Sequence, residues 1–165
     1  NFPSGASLNS PEVIEALLGK MQEAGIVPEL EAFDLGMVAY ARHLDRHRLL
    51  PRNKYFNLLL GNLGTAPATP AALAGMVEAL PERSLWSVAG IGRFQLPMSS
   101  IAIAAGGGVR LGLEDNIFYD WKSRTPATNA QLVKRALRIA EELQRPLATL
   151  EETRELLGLP SRSQT

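Results

Sequence analysis

The chain has 165 residues, of which 45% are hydrophobic and 21% charged, with 17 basic side chains, 17 acidic ones and no cysteine. A formal charge of zero without a block of like charges argues against a nucleic-acid or anionic-membrane partner. The lack of cysteine excludes disulfides and cysteine-based zinc fingers, and no apolar run approaches the roughly 20 residues of a membrane-spanning helix. We therefore expect one globular domain in the cytoplasm.

Helices and strands alternate along the chain. Ser10, which precedes a proline, caps a first helix that stops at Gly25. Thr128 or Asn129 opens a later helix that runs to about residue 143. The pattern predicts strands over 26–33, 55–60, 84–89 and 109–113, and further helices over 37–44, 69–80, 94–105 and 149–158, the last with a capping box, followed by a loose tail over 160–165.

Apolar strands that alternate with helices predict an α/β fold with a parallel sheet covered by helices. An open doubly wound sheet and a (β/α)8 barrel both fit this pattern. About four strand–helix units are visible, whereas a closed barrel needs eight. Half of a barrel is one expectation, and it requires roughly a hundred or more further residues before Asn1, because such barrels typically have about 250.

Ligands of parallel α/β folds bind at the carboxyl ends of the strands, where this sequence is polar. Glu29 and Glu31 are two residues apart on a strand, so their side chains share one face. Two carboxylates on a buried face require a cation opposite them, which a metal, an amine substrate or an arginine would supply. A solvent-facing edge of an open sheet is the alternative.

The run Gly90-Ile91-Gly92-Arg93 joins a strand to a helix. Glycines there let backbone amides approach an anion, and Arg93 adds a cation for a phosphate or carboxylate. The alternative is a tight turn with an ordinary surface arginine. The third glycine of a dinucleotide-binding motif is missing.

The run from Arg110 to Asn116 is the most informative one. In a strand, Arg110 and Glu114 share a face, so a cation and an acid would line up inward. Glu114 and Asp115 provide one carboxylate for cation binding and one for proton transfer, and Asn116 provides an amide that orients its neighbours. A purely structural salt bridge from Arg110 is the alternative.

Several runs together resemble the beta-keto acid cleavage enzyme family. They are residues 28–34, 60–62, 66–69, 86–93, 110–116 and 129–133. The family's members are zinc-dependent (β/α)8 TIM barrels about twice this long that tend to form homotetramers, so the resemblance implies that residues 1–165 form the C-terminal half of a single barrel domain. It implies a reversible Claisen-type exchange in which a beta-keto acid and acetyl-CoA give acetoacetate and a new acyl-CoA.

The resemblance also implies site roles. Glu114 matches a Zn2+ ligand whose histidine partners lie outside this chain, and Asp115 with Arg110 matches positions for proton abstraction and charge stabilisation. The remaining implied contacts are Glu29 and Asn116 with the substrate, and Gly90, Gly92 and Arg93 with the pyrophosphate of CoA. Gly108 departs from the family's usual histidine, which predicts an altered substrate preference or reduced activity.

Two other functions stay open. One is a non-catalytic half-barrel assembly module that pairs with a separate amino-terminal chain or with itself, and the other is a different phosphate-binding barrel lyase that needs no zinc. Because the histidine ligands are absent from the sequence, we expect the isolated chain neither to bind zinc tightly nor to turn over.

Overall fold

The computed structural model describes residues 8–159, so the predicted loose tail over 160–165 lies outside the described residues. In chain order the elements are α1 (Pro11–Glu23), β1 (Glu29–Ala32), α2 (Leu35–Arg46), β2 (Lys54–Leu60), α3 (Pro70–Glu78), β3 (Ser84–Gly90), α4 (Gln95–Ala104), β4 (Gly108–Val109), β5 (Phe118–Asp120), β6 (Thr125–Pro126), α5 (Asn129–Glu142) and α6 (Leu150–Leu157). A single 3-10 turn, Gly92–Phe94, precedes α4.

The helices begin where short polar side chains satisfy free backbone amides. The capping residues, each of which accepts a hydrogen bond from the amide three residues on, are Ser10, Asp34, Thr69, Thr128 and Thr149. The capping box predicted before the last helix is confirmed, and α5 has one as well. None of the helices within residues 8–159 has the length and apolar character to cross a bilayer.

Strands β1 to β4 form one parallel sheet in the order β1-β2-β3-β4, which confirms the predicted α/β class. Side chains along β2 point alternately to the two faces of the sheet. Phe56, Leu58 and Leu60 pack with side chains of α2, α3 and α4 in the main hydrophobic core. Because these three helices share one core, they cover the same face of the sheet, whereas a doubly wound sheet places helices on both faces.

The opposite face of the sheet carries polar side chains, with Glu31, Asn57 and Ser87 side by side in the strand register. Glu31 on β1 and Arg110 directly after β4 extend from this face, and Arg110 Nη1 lies 2.6 Å from Glu31 Oε1. Outer strands of a flat four-stranded sheet would be roughly 14 Å apart. Because side chains on a strand stand roughly perpendicular to the sheet, this contact across the outer strands indicates that the sheet curves toward this face.

The segment after α4 differs from the sequence-based expectation in two ways, one wrong prediction and one element that was not predicted. The strand predicted over 109–113 is only Gly108–Val109, because Gly112 O accepts the amides of Asp115 and Asn116 instead of continuing the ladder. The last ladder bond is donated by the amide of Arg110 to Val88 O. The hairpin of β5 and β6 was not predicted at all.

Candidate functional site

One guanidinium holds three carboxylates at the carboxyl end of the sheet. Arg110 Nη1 lies 2.6 Å from Glu31 Oε1, Nη2 lies 3.1 Å from Glu114 Oε2, and Nε lies 3.4 Å from Asp115 Oδ2. We call these four residues the Arg110 cluster. The predicted proximity of Arg110 to Glu114 and Asp115 is thus present, and the arginine is also the cation that faces Glu31.

The members of the Arg110 cluster differ sharply in exposure. The side chain of Asp115 is 8% exposed and that of Arg110 25%, whereas that of Glu114 is 82% exposed. Glu114 thus contacts Arg110, as expected, but the expected inward placement on a strand is wrong: residues 110–114 extend beyond β4, and residues 8–159 leave the Glu114 side chain exposed. Three acids beside one base carry a net negative charge, so the cluster can take up a further cation or a proton.

Burial and the positive charge of Arg110 act in opposite directions on the pKa of Asp115. Desolvation raises the pKa of its carboxyl group, the Arg110 guanidinium opposes that rise, and the negative charges of Glu114 and Glu31 add to it. For Arg110, burial disfavours the charged form, but Asp115 and Glu31 outweigh it and raise the pKa of the guanidinium. The cluster therefore pairs a permanent cation with a carboxylate that binds protons more readily than an exposed aspartate.

The loop that carries Glu114 and Asp115 is held by amide side chains. Gln95 Nε2 donates to Gly112 O at 3.1 Å, and the Leu113 amide donates to Asn129 Oδ1 at 2.9 Å. Gln95 Oε1 also accepts from Asn116 Nδ2 at 3.2 Å. These bonds connect the loop to the first residue of both α4 and α5, so two helices fix its course.

Asn116 is 4% exposed, and its side chain has four internal partners. Its Nδ2 donates to Gln95 Oε1 and to Phe118 O, and its Oδ1 accepts from the Phe118 amide and from Trp121 Nε1. Because both donors and both acceptor positions are occupied, the arrangement fits a positioning role rather than the direct substrate contact that the resemblance implies.

Glu29 lies outside the Arg110 cluster. In the strand register Glu29 pairs with Tyr55 and Glu31 pairs with Asn57. The two glutamates share one face of the sheet, but Glu29 lies two residues farther from the carboxyl ends of the strands. Its carboxylate accepts a hydrogen bond from Asn57 Nδ2. The sequence therefore predicted the shared face of the two acids, but not that Glu31 would be the one beside Arg110.

The glycine-arginine turn is built by close packing. A Cβ at Gly90 would overlap the backbone of Phe94, and Gly92 has a φ of 60° with the Trp121 ring 3.3 Å from the position of a Cβ. The Gly92 amide donates to Asp115 O at 2.7 Å, which ties the turn to the Arg110 cluster. Arg93 is exposed, with its guanidinium 4.8 Å from the centre of the Phe94 ring.

A groove runs along the outer edge of β4, which has no neighbouring strand on that side among residues 8–159. It encloses about 680 Å³ between residues 107–111 and the apolar side chains Val133, Ala136 and Leu137 of α5. Glu29, Tyr55 and Asn57 line it from the concave face. Asn57 is 3% exposed, and its Oδ1 has no hydrogen-bond partner within the described part of the chain.

A complete zinc site is not formed by residues 8–159, since no group of three histidine, cysteine, aspartate or glutamate side chains is arranged to hold a metal ion there. Glu114 fits one ligand position, because its exposed carboxylate contacts Arg110 through Oε2 alone. A zinc ion at Glu114 would therefore take its other ligands from polypeptide beyond this range.

Several residues of the site were missed by sequence reasoning. Three of them, Gln95, Asn57 and Asn129, form hydrogen bonds with partners 16 or more residues away in the sequence. The fourth, Trp121, donates to Asn116, which is five residues before it. The aromatic pair Phe118-Tyr119, followed by Asp120 as a turn residue, was the one local signal for the hairpin.

Known proteins are similar to this chain over most of its length. The profile of the beta-keto acid cleavage enzyme family matches residues 1–159. The 3-keto-5-aminohexanoate cleavage enzyme of Fusobacterium nucleatum subsp. nucleatum is 42% identical over 83% of this chain and 49% of its own length. The enzyme of the same name from Acetoanaerobium sticklandii is 36% identical over 92% of this chain and 55% of its own length.

A relative named for a different activity has the same identity as the second of these enzymes. The 3-oxoadipate:acetyl-CoA acetyltransferase of Cupriavidus necator is 36% identical over 98% of this chain and 57% of its own length. The chain thus spans about half the length of the curated relatives that it matches. On the family match and these identities, the chain belongs to the beta-keto acid cleavage enzyme family.

Proposed function

We propose that this chain forms the C-terminal half of a (β/α)8 barrel that exchanges acyl groups between a beta-keto acid and acetyl-CoA. Four features support the barrel: the sequential parallel strand order, the helices on one face, the curvature of the sheet and the open edge of β4. A parallel sheet of this kind leaves its concave face uncovered until further strands close it. The chain's coverage of about half of its relatives supports the same proposal.

The Arg110 cluster is the single observation that supports the chemistry most directly. The carbon between the two carbonyl groups of a beta-keto acid is acidic, and its deprotonation needs a base held close to a balancing cation. Asp115 is desolvated and lies 3.4 Å from Arg110 Nε, so it meets both needs. Relatives named for acetyl-CoA transfer supply the co-substrate of this proposal.

In the proposed reaction Asp115 removes a proton from that carbon, and the resulting enolate attacks the acetyl carbonyl of acetyl-CoA. A carbon–carbon bond forms and CoA leaves as its thiolate. The thiolate then attacks the original keto carbon, the bond from this carbon to the acetylated carbon breaks, and a new acyl-CoA forms. Asp115 returns its proton to the released acetoacetate, which balances the exchange.

Zinc dependence is part of the proposal, with Glu114 as one carboxylate ligand. When bound, the metal supplies Lewis-acid polarisation of the keto oxygen. The three acids around Arg110 favour a cation at this end of the sheet, and the 82% exposed side chain of Glu114 leaves an oxygen available for it. The isolated chain is then expected to be inactive, because it lacks the remaining ligands.

The proposal includes two further subsites, one for CoA and one for a distal group of the beta-keto acid. The turn of Gly90, Gly92 and Arg93 adjoins the cluster through the bond from the Gly92 amide to Asp115 O, so an exposed Arg93 can contact the pyrophosphate of CoA. Glu29, one layer farther from the strand ends, stays a proposed contact for a distal group of the substrate. Oligomeric state and cytoplasmic location stay predictions from the sequence.

The test uses this chain together with the polypeptide that completes the barrel. The protein is incubated with acetyl-CoA labelled with 13C at both acetyl carbons and with a panel of beta-keto acids that have cationic, anionic or uncharged distal groups. Mass spectrometry should find the label in the methyl and keto carbons of acetoacetate, together with an unlabelled new acyl-CoA. Label in any other product contradicts the proposed bond changes.

Variants assign the roles. Asp115→Asn should reduce turnover by about 100-fold or more while zinc content is unchanged. Glu114→Ala should reduce both turnover and the zinc retained after dialysis. Glu141→Ala, which changes an exposed acid of α5, is the matched control and should leave both at the wild-type level. Normal turnover in Asp115→Asn contradicts its role as the base.

A further inference from the structure

Gln95 is the first residue of α4, and its side chain is 2% exposed. Its two polar atoms are both used: Nε2 donates to Gly112 O at 3.1 Å, and Oε1 accepts from Asn116 Nδ2 at 3.2 Å. Gly112 and Asn116 stand on either side of Glu114 and Asp115. The side chain of Gln95 thus bridges the base of the short loop that carries the two carboxylates.

We propose that Gln95 is a positioning residue that fixes the loop from Gly112 to Asn116 and thereby holds Asp115 against Arg110. The proposal rests on the proposed function, because the consequence of misplacing Asp115 is a loss of acyl exchange. The side-chain hydrogen bonds of Gln95 join it to Gly112 O and Asn116 Nδ2 rather than to Asp115 or Arg110, so Gln95 acts through the loop backbone and through Asn116.

The loop has a small set of other restraints, so we expect the loss of one side chain to have a large effect. After the ladder bond from the Arg110 amide, its backbone makes two local bonds to Gly112 O, one bond from the Leu113 amide to Asn129 Oδ1, and one bond in which Asp115 O accepts from the Gly92 amide at 2.7 Å. Gly112 O therefore accepts from Gln95 as well as from two amides of its own loop. Removing the Gln95 amide breaks the bond between α4 and the loop, whereas the bond from the Leu113 amide to Asn129 of α5 stays.

The second bond of Gln95 extends the restraint to the hairpin. Asn116 also binds Phe118 and accepts from Trp121 Nε1 at 2.7 Å. Trp121 in turn packs against the Gly92 turn. Loss of the Gln95 side chain takes away one acceptor of Asn116 Nδ2. Because the network is buried, water does not readily replace the lost hydrogen bond.

Two variants separate the two bonds. Gln95→Met keeps the length of the side chain and removes both bonds, whereas Gln95→Glu, when ionised, keeps the acceptor for Asn116 but removes the donor to Gly112 O. Ser99→Ala is the matched control, because Ser99 is also a buried polar residue of α4, 3% exposed, but its Oγ has no hydrogen-bond partner within the described residues.

The experiment measures turnover and hydrogen exchange on the complete protein. Gln95→Met should lower kcat about 10- to 100-fold with the KM for acetyl-CoA within about twofold of wild type, because a shift of about 1 Å in a catalytic group has an effect of this size. Hydrogen exchange of the amides over 112–116 should become faster, while exchange in β2 and β3 is unchanged. Gln95→Glu should lie between Gln95→Met and wild type, and Ser99→Ala should match wild type.

Exchange rates keep this test independent of the proposed function. If wild type lacks acyl exchange, the reaction assignment fails, but faster exchange confined to 112–116 in Gln95→Met still supports the positioning role. If Gln95→Met is too unstable to purify, Gln95→Glu alone decides the question. Kinetics and loop exchange equal to those of Ser99→Ala would overturn the proposal.

Discussion

Arg110 Nη1 and Glu31 Oε1 lie 2.6 Å apart and connect the first and the last strand of the parallel sheet. The same guanidinium also contacts Glu114 and Asp115, so one cation balances three acids. This contact contributes to the fold, because it joins the two edges of the sheet. It also contributes to the proposed chemistry, because Arg110 contacts Asp115, the proposed base.

Replacing Arg110 by methionine should destabilise the protein. The change leaves the carboxylate of Asp115 desolvated and without its cation, which we expect to cost about 1–3 kcal/mol in the free energy of unfolding at neutral pH. Urea unfolding followed by circular dichroism measures the change. Arg138→Met, which removes an exposed arginine with a bond to the Tyr119 hydroxyl, should cost less than about 0.5 kcal/mol, and an equal loss in both variants contradicts the prediction.

Lys54 is a buried charge at the start of β2. Its Nζ lies 2.9 Å from Asp45 Oδ1 and donates to the carbonyl oxygens of Arg52 and Glu82, so all its protons are used. Lys54→Met should lower the free energy of unfolding by about 2–4 kcal/mol, because it leaves Asp45 partly buried and unpaired. Exposed Lys20→Met is the control, with a change below about 0.5 kcal/mol. Similar losses in the two variants would show that the Lys54 contacts contribute little.

Gly108 faces Ser87 on the neighbouring strand. A Cβ at Gly108 would overlap Ser87 Oγ but would lie 3.5 Å from Ser87 Cβ, and Ser87 Oγ also lies 2.8 Å from the Tyr55 hydroxyl. Gly108→Ala should therefore cost about 1–2 kcal/mol, because it displaces this hydroxyl pair.

Ser87→Ala provides the test of that mechanism. In the Ser87→Ala background the same Gly108→Ala change should cost less than about 0.5 kcal/mol, since the overlapping atom is gone. A double-mutant cycle of unfolding free energies measures the difference. Equal costs in the two backgrounds would mean that Ser87 Oγ is not the obstacle.

Asp120 fixes the turn of the β5–β6 hairpin. Its Oδ1 accepts from the amide of Ser123 at 2.7 Å and from its hydroxyl at 2.9 Å, and these bonds lower the pKa of the Asp120 carboxyl group, the amide bond most strongly. A lowered pKa in the folded state means that the ionised group stabilises the fold above the ordinary aspartate pKa of about 4. The contribution is lost as the pH falls through the folded pKa.

Asp120→Asn removes the titration but keeps an oxygen acceptor. Between about pH 5 and pH 2 the stability of wild type should fall more steeply than that of Asp120→Asn, and above about pH 5 the two slopes should agree. Thermal unfolding across this range measures both slopes. Parallel curves throughout would show that the hairpin does not depend on the charge of Asp120.

Short-range signals predicted most of the elements. Ser10, Thr69, Thr128 and Thr149 cap helices as expected because a cap bonds an amide only three residues away. The apolar runs predicted three of the four parallel strands, and the fourth is shorter because Gly112 O bonds within its own loop. The curvature of the sheet is indicated by the contact between Arg110 and Glu31, which are 79 residues apart, so no short-range signal could predict it.

By itself, the sequence determined the α/β class, the positions of the helix caps, the shared face of Glu29 and Glu31, and the family, because each of these depends on neighbours along the chain or on matching runs of residues. Only the tertiary structure decided that Glu31 rather than Glu29 contacts Arg110, that Asn116 is consumed by internal bonds, and that Gln95 supports the loop. Those outcomes depend on strand register and on burial, which arise when distant segments pack together and which no local pattern encodes.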